Sequence, residues 1–189
     1  MANMEVKKAN FGPLGLLGFG MTTVLLNLVN SGLVEFSIVI IAMGIALGGL
    51  AQIIAGVLSY KQGNTFAGTA FTAYGFFWLS FVIIKLFGNL FPAADFLLSM
   101  GFYLLLWCIF TLFMAIGTLK HSTISKMVFW SLTLLFFLLA IGDFVAYANG
   151  SMIVTQIAGY VGILCGLFAM YDALGQIVNG ELGKDVLPL

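Results

Sequence analysis

The chain has 189 residues, 62% of them hydrophobic and only 7% charged, against roughly 25% charged in a soluble domain, so it cannot dress a folded surface for water. Seven basic and seven acidic residues cancel, which excludes a nucleic-acid partner held by a basic surface. The lone His121, with Cys108 and Cys165 set in apolar runs without ligand spacing, leaves no His-based triad or zinc cluster, so no catalytic site, metal or cofactor is expected.

A bilayer is crossed by about 20 apolar residues in a helix. The polar separators NSGLVE, YKQGNT, GNLFPAAD, KHSTISK and YANGS divide the chain into six such runs, at about 13–30, 36–59, 66–88, 96–119, 126–148 and 152–178. The expectation is an all-α membrane protein, one six-helix transmembrane domain over residues 1–189 embedded in the lipid bilayer. The start of the chain lacks the short apolar core and small-residue site of a cleaved signal, so the first span is expected to be retained.

The first span opens on NFGPLGLLGFGMTT, Asn10 to Thr23. Glycine costs a helix up to about 1 kcal/mol relative to alanine, so so many of them need a reason. Pro13 suits a first turn, where a missing N–H leaves nothing unpaired. Beyond it Gly15, Phe19, Thr23, Asn27 and Asn30 follow steps of four, four, four and three and share a face. That face is either a close-packed seam or the wall of a path with hydroxyl and amide donors.

The second span carries Gly44, Gly48, Gly49 and Gly56, and the sixth Gly159, Gly162 and Gly166. Small residues at this spacing let helix backbones approach closely in lipid. Gln52 in the second span and Asn27 in the first are candidate donors to a carboxylate, or to each other. The third span has a threonine stripe, Thr65, Thr69 and Thr72, with Tyr74 turned about 200° from Thr72. Spacing leaves open which stripe faces a path, and threonines in apolar helices usually bond across helices or back to the preceding turn.

In the fifth span Leu132, Phe136, Leu139 and Asp143 share a face, with Asp143 about 16 Å beyond Leu132. A carboxyl group at membrane depth is expensive and a functional candidate by default. Asp143 is therefore the candidate site through which pH acts, the alternative being a hydrated position paired with Asn149 or Lys85. With Asp172 it makes up the intramembrane titratable set, too thin for an enzyme. Lys7, Lys8, Lys61, Lys120, Lys126 and Lys184 fall on one side of the six spans and Lys85 on the other. The positive-inside rule then places both termini in the cytoplasm, and the chain is expected to be a multi-pass protein of the cell's inner (plasma) membrane.

NFGPLGLLGFGMTTVLLNL resembles the NPAPLGL-type opening of the acetate uptake transporter family. LAQIIAGVLSYKQGNTFAGTAFTAYGFFWL, LWCIFTLFMAIGTLK and WSLTLLFFLLAIGD continue the likeness in order, over nearly the whole chain. Two positions depart from it: Phe11-Gly12 stands where the family has Pro-Ala, and Asp143 where a bacterial member has a neutral amide. The resemblance implies a ring-shaped homo-hexamer of six-helix protomers, each with its own path for acetate, succinate and similar small carboxylates. It implies a hydrophobic constriction of Phe19, Tyr74 and Leu132, matched through LLGFGM, FTAYGF and WSLTL. Ala169 in GLFAMY matches a position tied to substrate size. A channel or proton-coupled carrier for small carboxylates is therefore expected, with Gly15, Thr23, Asn27, Gln52 and Thr72 along the path. The alternatives are a neutral-solute channel, for urea, ammonia or a gas, and a structural membrane protein without a pore.

Overall fold

The computed structural model describes residues 9–91 and 95–189; Lys7, Lys8 and the loop at Pro92 lie outside the described residues. The described residues are helical throughout their regular structure. Six helices are long and apolar enough to cross a membrane: α1 Gly12–Asn30, α2 Ile38–Lys61, α3 Thr65–Leu90, α4 Phe96–Lys120, α5 Thr123–Asn149 and α6 Ile153–Leu182. They stand where the apolar runs were expected. The largest offset is at the end of α6, where Gly180 does not break the helix and Gly183, at φ 63°, does.

Local chemistry explains the boundaries. The Asn10 side-chain oxygen accepts the Gly12 N–H at 3.0 Å, and Pro13 occupies the first turn of α1. Asn64 caps α3 by accepting from the Ala67 N–H at 3.0 Å. Ser122 caps α5 through the Ser125 N–H at 3.2 Å. Gly150 ends α5 in the left-handed region at φ 76°, where a side chain would be strained.

One departure from a regular helix was not expected: Gly44–Ala51 within α2 is π-helical, a form that concentrates at functional sites. Glycines on the helices beside it let its backbone approach closely. A Cβ on Gly18 of α1 would stand 2.5 Å from the Leu47 carbonyl oxygen.

Packing order around the bundle is α3–α2–α1–α6–α5–α4. The α3/α4 gap is wider because rings fill it: Phe77 stacks on Tyr103 at 5.8 Å and meets Trp107 edge-on at 5.2 Å. The α1/α6 seam is the opposite case, since a Cβ on Gly20 or Gly166 would stand 2.7 Å from the other's carbonyl oxygen. Gly166→Val is expected to push these helices apart and lower stability by about 1–3 kcal/mol. The measurement is the thermal midpoint in detergent; a midpoint equal to the parent's would show that the seam tolerates a side chain.

Candidate functional site

Phe19 from α1, Tyr74 from α3 and Leu132 from α5 are 6%, 3% and 2% exposed and border one small cavity of about 20 Å³, room for about one water molecule. The Phe19 and Tyr74 ring centroids lie 6.0 Å apart. The Tyr74 hydroxyl donates to Thr111 Oγ1 of α4 at 3.0 Å. This bond turns the hydroxyl towards α4 and holds the ring in place. Thr111 is fully buried, and sequence reasoning missed it because its partner lies on another helix.

A second layer was also missed. Leu16, Phe71 and Phe129 line the same cavity, each three residues before its partner at the constriction, on α1, α3 and α5 alike. Because the three helices run the same way, the two layers stack about 4.5 Å apart. The repeated spacing of three was the legible signal. Gly15 serves this layer: a Cβ there would stand 2.5 Å from a Phe71 ring carbon. Much of the opening stretch's glycine is thus room for a neighbour's ring or backbone.

Leu16, Phe71 and Phe129 also border a second cavity of about 200 Å³ at the end of the bundle where α1, α3 and α5 begin. Its lining is mixed, with Asn10, Gln62, Asn64, His121, Ser125 and Asp172 as polar groups among apolar ones such as Phe11 and Phe66. His121 is braced edge-on against Phe66 at 4.8 Å. Among the described residues no lysine lines either cavity. The larger cavity with its polar groups, a vestibule, thus leads past the layer of Leu16, Phe71 and Phe129 to the small cavity at Phe19, Tyr74 and Leu132. Bulky apolar side chains at such a point close a path by dewetting.

Gln52, first residue after the π-helical stretch, lines the constriction cavity. It is fully buried, and neither its side-chain oxygen nor its nitrogen has a hydrogen-bond partner. Burying an amide without partners costs roughly 1–3 kcal/mol, so this group stands ready for a ligand that supplies them.

The other expected path residues part company. Asn27 donates to the Thr23 carbonyl at 2.9 Å and accepts from Asn30 at 3.0 Å, and its carboxamide fills the space over Gly162 of α6. It does not meet Gln52. The reason is helical drift: twelve residues from Gly15 to Asn27 rotate about 120° beyond whole turns, enough to carry the face from the cavity to the α6 seam. Thr23 is buried with its hydroxyl unpartnered and lines neither cavity. Thr72 faces α2, with its hydroxyl against Gly56, while Thr69 bonds Tyr60 at 2.8 Å. Ala169 is fully buried in the core that holds Phe19, Tyr74 and Leu132, outside the cavity lining.

Asp143 keeps the Leu132 face, since eleven residues drift by only about 20°. Phe136 stands between them, packed against Phe77 at 5.2 Å and Trp107 at 6.4 Å. Asp143 interacts electrostatically with Lys85 of α3, whose ammonium lies over the Phe81 ring at 5.4 Å.

Comparison with known proteins gives a consistent set of likenesses. The family model described as the GPR1/FUN34/yaaH family matches residues 1–183. The succinate-acetate/proton symporter SatP of Escherichia coli K12 is 51% identical over 98% of this chain and 97% of its own length. Ammonia transport outward protein 2 of Saccharomyces cerevisiae is 37% identical over 93% of this chain and 64% of its own. The solved structure of the bacterial acetate channel SatP superposes with a TM-score of 0.89 at 51% identity, covering 97% of this chain and 99% of that one.

Proposed function

The chain belongs to the GPR1/FUN34/yaaH family, and on that footing we propose that it carries acetate and related small carboxylates, succinate among them, across the membrane. It is a transporter and not an enzyme. The observation that carries the reading is Gln52, an unpartnered buried amide in the cavity bordered by Phe19, Tyr74 and Leu132. A carboxylate is an acceptor-only group, and the amide N–H₂ offers it donors within that small cavity. The donors are neutral, so a bound anion is released again, as transit requires. The likeness to a symporter and a channel for this solute class supports the same reading.

An uncharged constriction also passes neutral solutes, and one relative is named for ammonia transport. Uptake of labelled acetate into proteoliposomes, challenged with excess succinate, urea or ammonium, tests the choice. Succinate is expected to compete and urea and ammonium to leave uptake unchanged; the reverse order would assign the path to a neutral solute.

The chain acts as one unit, one path per protomer of a homo-hexamer, in a cell's plasma membrane with both termini cytoplasmic. Lys61, Lys120 and Lys184 close the vestibule end of their helices, whereas Lys85 lies near the other end of α3, which supports a cytoplasmic vestibule. A cysteine introduced at Asn149 is expected to react with an impermeant thiol reagent in intact cells and one at Lys184 to resist it. Labelling at Lys184 from outside would invert the orientation.

Asp143 then lies towards the outer mouth within electrostatic reach of Lys85. Ionised, it neutralises the ammonium; protonated, it leaves that positive charge to draw anions. Low outside pH therefore favours acetate uptake, and Asp143→Asn is expected to flatten the pH profile at matched acetic acid concentration. A profile identical to the parent's would remove pH sensing from this residue.

A further inference from the structure

Asp172 on α6 is 2% exposed and opens onto the vestibule, on the side away from the constriction. Its Oδ2 accepts from the Ser125 hydroxyl at 2.9 Å, which itself accepts from Ser122 Oγ at 3.0 Å. Its Oδ1 accepts from Gln176 Nε2 at 2.8 Å. Gln176 Oε1 in turn accepts from Asn10 Nδ2 at 2.8 Å, and Asn10 Oδ1 from the Gly12 N–H at 3.0 Å. Every bond in both arms points towards the carboxylate.

That direction has a cause. A side-chain amide has a donor end and an acceptor end, and either can face a neighbour, whereas a carboxylate only accepts. With Gln176 N–H₂ drawn to Asp172, its carbonyl is left to face Asn10. Asn10 then presents N–H₂ to Gln176 and its own carbonyl to α1. The Gly12 N–H, one of the free donors at the start of a helix, finds an acceptor only in this sense of the relay. Turned the other way, Asn10 would set N–H₂ against N–H. The relay sits tightly: a Cβ on Gly12 would stand 3.1 Å from Asn10 Oδ1 and 3.3 Å from Gln176 Oε1.

We propose that Asp172 is a positioning residue of the transport path, whose carboxylate sets the direction of a Gln176–Asn10 amide relay that clamps the first turn of α1 across the vestibule mouth. The clamp joins residues 166 positions apart and ties α1 to α6 and, through Ser125, to α5. It acts on the vestibule, which the layer of Leu16, Phe71 and Phe129 separates from Phe19, Tyr74 and Leu132, so it governs capture of the solute and not its passage. This rests on the carboxylate-transport reading above.

The test uses the full-length protein, with Asp172→Ala, Gln176→Leu and the double variant Asp172→Ala/Gln176→Glu. In the double variant a carboxylate returns one turn along α6 and accepts directly from Asn10, restoring the direction of the relay. Hydrogen exchange at residues 9–17 needs no transport and reads the clamp itself. It is expected to quicken about fivefold in Asp172→Ala and in Gln176→Leu, the loss of roughly one hydrogen bond, and to return to the parent rate in the double variant. In proteoliposomes the half-saturating acetate concentration rises by a similar factor in the single variants, with the maximal rate kept, and recovers in the double. Exchange at the parent rate in Gln176→Leu, or no recovery in the double variant, would overturn the proposal. Exchange that follows this pattern in a protein that carries no acetate would uphold the clamp and reject the transport reading.

Discussion

Leu132→Ala is expected to raise the flux of lactate relative to acetate at least about tenfold, the lower end of what one methylene-scale change is worth in an apolar pocket. Leu132 is 2% exposed and borders a cavity of about 20 Å³, so truncation joins the space of the lost side chain to a void that already exists. The competing account treats Leu132 as ordinary core, in which case truncation costs about 2–5 kcal/mol and only lowers the yield of folded protein. Both effects are measured together, as the ratio of labelled lactate to labelled acetate uptake per folded protein and as the thermal midpoint. A lower midpoint with an unchanged ratio would return Leu132 to the core. Phe19→Ala is expected to act in the same direction, because its ring meets Tyr74 across the same gap.

Gln52→Leu separates binding from stability more sharply. The parent amide is fully buried with both polar atoms unpartnered, so an apolar side chain of similar size relieves a cost of roughly 1–3 kcal/mol. The variant is expected to be as stable as the parent or more so. Acetate flux is expected to fall at least about tenfold, equivalent to about 1.4 kcal/mol at the barrier, since a carboxylate passing the constriction loses its amide donor. Few substitutions in a helical bundle are expected to raise the midpoint and lower the activity together. A drop in both would show that Gln52 supports the fold, and unchanged flux would remove it from the path.

Much of the fold was legible because the membrane imposes it. Apolar runs of span length, cut by KHSTISK or YANGS, leave the backbone no choice but helix, and Asn64, Ser122 and Gly150 are ordinary boundary signals. The π-helical stretch at Gly44–Ala51 was not legible, since GIALGGLA carries the same glycine signal as a close-packed seam. The constriction was named by likeness, not by spacing: the two faces of α3, Thr72 and Tyr74, were equivalent until the structure set Thr72 against Gly56 and Tyr74 at the cavity. Asn27 shows the limit of stepping by four along a helix, because each step drifts about 40° and three of them leave the face. Thr111, Gln176 and the orphaned state of Gln52 depend on partners far away in the chain, which no local pattern records.

On the proposed path acetate crosses each protomer between α1, α2, α3 and α5, past Ala70, Tyr74 and Leu132. Ala70 borders both cavities and is small enough to become cysteine with little repacking, while Leu134 is exposed on the outer face of α5. The decisive measurement is acetate uptake into proteoliposomes holding Ala70→Cys or Leu134→Cys, before and after a small thiol reagent. Uptake by Ala70→Cys is expected to be blocked, with acetate slowing the reaction, while Leu134→Cys continues at the parent rate. Full labelling of Ala70→Cys with undiminished acetate uptake would contradict the path.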